Sequence, residues 1–406
     1  MKKKLSFGWV ISITGGINGF VSNGPTFFAS STIFRAIEDE FGWSRTLVSG
    51  VASFGRFGGA LFGPFEGWLI DKFGVGKMVF LGFIIAGFGL ILFSIIKSPM
   101  QYYISFFLIS LGFSIGGFTP SITAVNSWMI NKKATAMSIV IGGSTLGGLS
   151  APLLVWGMGN MGWRPTMLIF GLITLILGPI TAVILNKKPP KSKNLPTENL
   201  LKILPKDFTT KEALKNSSFW TLSASHMLVN ASLAAIMAHI YLYLTDPNGH
   251  NISPEIASTI LPIMAIFSLV FQVIGGILGD ISNKRLLASL FISIQGVSVL
   301  ILTLSSGFNS IILFAIIWGI GYGGRTPLIH AMRGEYFGRK HFATITGFSS
   351  MGVGISMMTT PILVGRYYDV YKSYDNAFII VSILCFVSSI LILFARNPNK
   401  KIKKIF

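Results

Sequence analysis

Charge is scarce in this sequence, and acid is scarcer still. Asp, Glu, Lys and Arg make up 12% of 406 residues, and Asp and Glu together number only 14. Ordinary globular domains carry roughly 25% charged residues, so the composition excludes a soluble enzyme of two or three domains. The single cysteine, Cys385, excludes an internal disulfide and a cysteine-rich metal site. No apolar run contains a Cys/His/Asp/Glu cluster, so neither metal nor nucleophilic chemistry is expected, and no cofactor. A cleavable signal peptide is not expected either. Lys2 to Lys4 precede an apolar stretch reaching about Phe34, well past a signal core of roughly 7–15 residues.

What the chain has in quantity is hydrophobic residues, 51% of the total. They fall in twelve segments, at 7–34, 46–69, 78–96, 101–129, 135–158, 164–185, 219–244, 255–279, 286–305, 309–331, 342–365 and 376–395. A helix of roughly 20 apolar residues crosses a bilayer, so each is predicted to be a transmembrane span. Between spans 6 and 7 lies the only long polar stretch, Asn186 to Ser218, with Lys187, Lys188, Pro189, Pro190, Lys191 and Lys193. The expected organisation is a six-helix bundle over 1–186, a cytoplasmic basic linker over 187–218, a second six-helix bundle over 219–398 and a cytoplasmic basic tail over 399–406. A short amphipathic helix around Lys211 to Lys215 is expected at the membrane surface.

The net charge is +19, which in a soluble protein would suggest nucleic acid. Sorting the charge by topology gives it another meaning. With both termini on the cytoplasmic side of the cell membrane, 25 of the 33 Lys and Arg fall on inside segments, Arg333 to Lys340 among them, and six on outside loops. Such an excess orients the chain, and no nucleic-acid partner is expected. Arg56 and Arg325 are left over, both inside spans.

A repeat emerges when the halves are offset by about 207–209 residues. Gly67-Trp-Leu-Ile-Asp71 after span 2 matches Gly276-Ile-Leu-Gly-Asp280 after span 8. Gly116-Gly117-Phe118-Thr119-Pro120 matches Gly323-Gly324-Arg325-Thr326-Pro327, and Ala134-Thr135 opening span 5 matches Ala343-Thr344 opening span 11. Six helices separate the copies, so both halves share one orientation. The expected fold is an all-α membrane protein of twelve transmembrane helices in two parallel six-helix repeats.

The segment from Gly67 through Asp71, Lys72 and Gly74 to Lys77 resembles the loop joining helices 2 and 3 in the major facilitator superfamily, with its Gly-x-x-x-Asp-Arg/Lys-x-Gly-x-x-basic pattern. A weaker copy at Gly276, Asp280, Lys284 and Arg285 stands where that family repeats it. The resemblance implies gating by Asp71, Lys72, Asp280 and Arg285, through charge–dipole and salt-bridge contacts that latch the halves during alternating access. A narrower resemblance is to monocarboxylate porters and oxalate/formate exchangers. It rests on Phe7-Gly8-Trp9, Glu40-Phe41-Gly42-Trp43-Ser44-Arg45, Trp128 to Met137, Gly162-Trp163-Arg164 and Phe219-Trp220. It implies a carboxylate substrate. That branch usually places a carboxylate-binding arginine in helix 8, where this chain has the neutral Gln272, and helix 1 here offers Asn18, Ser22 and Asn23 but no lysine. Another cation must supply the charge.

Arg325 is the sharper choice. An arginine at the bilayer centre costs about 2.5–3.5 kcal/mol on insertion scales, so it faces a wet cavity or a partner. Its repeat mate is Phe118, so the Gly-Gly-x-Thr-Pro frame accepts an apolar residue in the same place. The guanidinium fork suits bidentate binding of a carboxylate; the alternative is a structural arginine satisfying carbonyls. Arg56, between Gly55 and Gly58, is as suited to helix packing or gating as to substrate. Asn18, Asn23, Asn230, Gln272 and Tyr322 are the polar residues expected to assist, with interhelical hydrogen bonding as the alternative for each. No Asp or Glu stands mid-span, which removes the commonest proton carrier and leaves His226 and His330 as possible proton-coupling residues.

The expected function is secondary active transport of a small organic anion, a monocarboxylate first, by alternating access around a midplane cavity, by proton symport or anion exchange, in a protein that works as a monomer. Export of amphipathic drugs through aromatic contacts is the alternative on the same fold. A membrane receptor or sensor is the alternative of another class, and the linker and tail look too short for signalling.

Overall fold

In hydrocarbon no water reaches a backbone N–H or C=O, so an apolar run can cross only by closing its hydrogen bonds on itself. The computed structural model describes residues 6–23, 30–189, 206–247, 249–304 and 307–399, and it is helical through the apolar runs. Span 1 comprises Phe7–Asn23 and the apolar start of the helix Ser30–Phe41, whose charged end from Arg35 to Glu40 lies past the apolar run. Span 2 is Arg45–Phe73, span 3 Val75–Ser94, and span 4 Pro99–Gly116 with Phe118–Trp128. Span 5 runs through Lys133–Leu146 and Ser150–Met161, span 6 is Trp163–Leu185, and span 7 is Ser217–Thr245. Spans 8 to 12 are Pro254–Ile281, Lys284–Leu304, Phe308–Phe337, Phe342–Tyr371 and Asp375–Phe394. Nine of these, span 4 counted once, are long and apolar enough among the described residues to cross a bilayer. Spans 1, 2 and 5 complete the twelve. Residues 24–29 within span 1 lie outside the described residues, and a 3-10 turn at Gly147–Leu149 interrupts span 5.

Helix ends follow the local chemistry. Ser44 and Ser98 accept hydrogen bonds from the backbone N–H of Leu47 and Gln101 at 3.3 and 3.4 Å, occupying donors that an isolated helix leaves open. Gly74, at φ +90°, turns the chain from span 2 into span 3 in a conformation that side chains resist. In the linker, residues 190–205 lie outside the described residues. After them comes a helix at Thr210–Leu214, closed by a capping box between Thr209 and Glu212.

The chain divides into two compact units, one of 1–130, 139–204 and 339–347, the other of 131–138, 205–338 and 348–406. In the first unit, glycine lets span 3 lie close on span 4: a Cβ on Gly112 would sit 2.4 Å from the Ala86 nitrogen. Tyr102 is fully buried there, and its hydroxyl donates to the Val48 carbonyl at 2.8 Å. Glu66 on span 2 is also buried, accepting from the Ser114 hydroxyl at 2.6 Å. In the second unit, serines join spans 7, 9 and 12, with Ser225 bonded to Ser388 at 2.9 Å and Ser289 to Ser389 at 2.8 Å. Such interhelical bonds average about 0.6 kcal/mol each. They set register more than they add stability. An apolar cluster around Ala235, Phe314, Trp318 and Phe378 fills the other end of that unit.

Candidate functional site

Four glycines in span 10 let its neighbours approach the backbone. A Cβ on Gly323 would meet the Ser268 carbonyl of span 8 at 2.2 Å, and one on Gly321 would meet the Gln295 nitrogen of span 9 at 2.7 Å. Arg325 is carried into that packing and is 1% exposed. Its Nε donates to Gln295 Oε1 at 2.8 Å, and its guanidinium lies over the Tyr322 ring, 5.1 Å from the centroid. Tyr322 in turn stacks on Trp318. Arg325 Nη2, Gln295 Nε2 and Trp318 Nε1 have no hydrogen-bond partner among the described residues. All three are donors. Unfilled buried donors on Arg325 and on the Gln295 it is bonded to suit an anion.

Eight residues on, the helix holds a second buried cation. Charge counting assigns Arg333 to a cytoplasmic loop, but span 10 continues to Phe337 and Arg333 is 1% exposed within it. Protein packing, not lipid, surrounds this stretch, so the helix extends past the point where hydropathy falls. Arg333 Nη2 contacts His226 Nδ1 at 2.7 Å and Nη1 contacts His330 Nδ1 at 3.4 Å. The two imidazole rings sit edge to face with centroids 5.8 Å apart. The structure thus joins the two expected proton-coupling histidines through an arginine.

The other expected residues divide. Asn18 in span 1 is fully buried with neither side-chain nitrogen nor oxygen partnered among the described residues. Asn23 donates to the Gly19 carbonyl of its own helix at 3.2 Å, and Asn230 to the His226 carbonyl at 2.7 Å, so both are partly occupied. Gln272 is fully buried in span 8. Arg56 lies on span 2, and its side chain is outside the described residues.

The two aspartates of the repeated Gly-x-x-x-Asp sit at helix N-termini. Asp71 accepts from the Ala343 N–H at 3.2 Å, the Thr344 N–H at 2.8 Å and the Thr344 hydroxyl at 2.5 Å. Asp280 accepts from the Ala134 N–H, the Thr135 N–H and the Thr135 hydroxyl at 2.9, 2.9 and 2.6 Å. A carboxylate here fills open donors and faces the positive end of the helix dipole. Glycine makes the approach possible, since a Cβ on Gly67 would lie 2.3 Å from the Ala343 carbonyl oxygen. Lys284 is 4.0 Å from Asp280 and pairs with Glu335 at 2.8 Å. Lys72 lies over the Trp68 ring at 4.5 Å, and Arg285 borders a cavity of about 1050 Å³ shared with Tyr336 and Arg396.

The family model of the Major Facilitator Superfamily matches residues 13–250 and again 247–405. The chain belongs to the major facilitator superfamily. It is a multi-pass membrane protein of that fold. It is 24% identical over 393 residues to the "Probable sulfoacetate transporter SauU" of Cupriavidus necator, covering 89% of this chain and 87% of that one. To monocarboxylate transporter 2 of Homo sapiens it is 22% identical over 395 residues, covering 91% and 80%. Among solved structures, FucP in the outward conformation superposes with a TM-score of 0.72 at 12% identity, covering 96% of this chain and 99% of that one. That last likeness shows the superfamily fold alone.

Sequence reasoning missed Arg333 and Gln295. Gln295 carried one usable signal, a polar residue in the middle of an apolar span. Arg333 carried none, because a basic residue near a span end is normally a loop residue.

Proposed function

We propose that the protein is a secondary transporter of small organic anions, either monocarboxylates or short sulfonated carboxylates, with Arg325 as the charge that holds the anion. The observation that carries this reading is the Arg325 guanidinium, anchored by Gln295, stacked on Tyr322 and left with an unfilled Nη2 among the described residues. Two relatives named as transporters of monocarboxylates and of sulfoacetate support the same class of cargo. Chemically, the Gln272 position that lacks a cation is compensated by the one in span 10. A carboxylate placed on Arg325 Nη2 and Gln295 Nε2 gives two buried donors an acceptor, each charge-assisted bond contributing about 1.5–3 kcal/mol. Asn18 is proposed as a polar contact for the same cargo.

Alternating access is part of the same proposal, supported by the superfamily fold, with the Asp71 and Asp280 helix caps as the contacts that form and break at the cytoplasmic ends. The experiment is counterflow of labelled lactate and sulfoacetate into liposomes holding the purified protein. Uptake by the wild type and its loss in Arg325→Ala, with insertion unchanged, is the expected result. Unchanged anion affinity in Arg325→Ala overturns the assignment.

A further inference from the structure

Arg333 is the buried charge that the anion anchor does not use. It lies eight residues past Arg325 on span 10, ~12 Å along the axis at 1.5 Å per residue. A guanidinium only donates hydrogen bonds. The 2.7 Å contact from Arg333 Nη2 therefore makes His226 Nδ1 an acceptor, which puts the His226 proton on Nε2 and leaves that ring neutral. The 3.4 Å contact from Nη1 makes the same demand of His330 Nδ1. Arg333 Nε has no partner among the described residues. The guanidinium is thus held by two neutral imidazoles, in a place that a carboxylate would satisfy better.

The surrounding charges leave this balance open to a proton. Arg325 and Arg333 both act electrostatically on His226 and His330. The helices packed on spans 7 and 10 bring their acids in only at their ends: Glu255 and Asp280 on span 8, Asp369 on span 11 beside Arg366, and Asp375 on span 12. Span 9 begins with Lys284 and Arg285, and the remaining titratable group of span 12 is Cys385. Glu335, on span 10 itself, is ion-paired with Lys284. Among the described residues none of these acids is bonded to Arg333.

We propose that His226, His330 and Arg333 form a proton-dependent anion site, an inference that rests on anion transport as read above. With both rings neutral, their Nδ1 atoms hold the guanidinium. A proton arriving on one Nδ1 turns that acceptor into a donor, so the ring and Arg333 now repel and the guanidinium is released. Guanidinium and imidazolium then face one carboxylate or sulfonate with donors from both. One proton and one anionic group bind together and the added charge is zero. Loss of the proton returns Arg333 to the imidazole and frees the anion. The proton is carried by the protein, and the cargo stays ionised.

The test is proton uptake on anion binding by the full-length protein in weakly buffered detergent, with lactate and sulfoacetate as probes. The expected result is close to one proton taken up per protein molecule at anion saturation, and an affinity for that anion that weakens about ten-fold per pH unit above the imidazole range. In the double variant His226→Gln/His330→Gln, proton uptake is lost and affinity no longer follows pH. His250→Gln, in the loop after span 7, keeps the one-proton stoichiometry. Wild-type protein that binds either probe without taking up a proton overturns the inference and leaves the anion reading standing. Proton uptake retained by a folded double variant overturns it too, and a wild type that binds neither probe overturns both readings. The wild-type stoichiometry decides the matter even where a variant fails to fold.

Discussion

Spans 4 and 10 are one stretch of sequence written twice, and the two copies differ in both shape and charge. Gly116-Gly117-Phe118-Thr119-Pro120 carries no charge, and the helix breaks there, ending at Gly116 and restarting at Phe118. Gly323-Gly324-Arg325-Thr326-Pro327 carries a buried guanidinium, and the helix runs unbroken from Phe308 to Phe337. Proline stands at the same place in both, so proline alone does not make the break. Both copies also rely on glycine for close crossings, Gly82 against Gly112 and Gly275 against Gly324. A frame that folds with phenylalanine has no structural need of arginine, and an arginine there costs about 2.5–3.5 kcal/mol. The difference between the copies therefore points to a ligand.

Four experiments test the difference between the copies. The largest effect is expected from Arg325→Phe, which writes the span 4 residue into span 10. Uptake should fall roughly 10–100-fold, as loss of the one charge-assisted bond from Nη2 predicts, while the protein still inserts; retained uptake would make the two copies equivalent. Next come the glycines of the Gly-x-x-x-Asp copies. Gly67→Ala puts a Cβ 2.3 Å from a backbone oxygen, whereas at Gly276 the nearest atom is the Ser138 hydroxyl at 2.8 Å. Gly67→Ala should cost about 1–3 kcal/mol and Gly276→Ala less, read as the drop in apparent Tm in detergent.

Third, Asp71→Asn and Asp280→Asn each remove a charge from a helix N-terminus, for about 1–2 kcal/mol apiece. Equal losses of thermal stability are expected from the matching geometry. A larger loss at Asp280 would show that Lys284, 4.0 Å away, contributes to that cap.

The smallest effect concerns the ends of spans 1 and 7. In the first half Glu40 pairs with Arg164 at 2.7 Å, and near the end of span 7 in the second half Tyr243 donates to Asp375. Burial raises the Glu40 pKa, but hydrogen bonds from Arg164 and the Trp163 indole and the Arg164 charge outweigh it and hold the carboxyl below its ordinary 4.5. A lowered folded pKa means stability that is fully present above pH 4.5 and lost as pH falls through the lower value. The side chains are 40% and 33% exposed, so the amount is under ~1 kcal/mol. Glu40→Gln should lower the apparent Tm slightly at pH 7, and by less as the pH is taken down through the carboxylate range.

Much of this was legible before any coordinates. Hydropathy gave the twelve spans, and the repeat singled out Arg325 because its mate is Phe118. The matching of Ala134-Thr135 with Ala343-Thr344 marked the turns that Asp280 and Asp71 cap. Their partners were not legible, because Asp71 and Thr344 stand 273 residues apart and no local rule joins them. Arg333 was misread as a loop residue for the same kind of reason. A loop-like charge near a span end becomes a buried one only if neighbouring helices cover it. Asn18 and Asn23 looked alike in sequence, and only the fold shows that Asn23 bonds to its own helix while Asn18 is left without a partner among the described residues.

Where the chain crosses the membrane, and that it does so in two like halves, is written in its residues. Lipid forces each backbone segment to satisfy its own hydrogen bonds, so crossing is a property of each run of residues taken alone. Which cations end up buried, and what holds them, was decided by tertiary structure. Arg325 on Gln295 and Arg333 on His226 are contacts between separate helices, and a guanidinium finds those acceptors only once the helices have met.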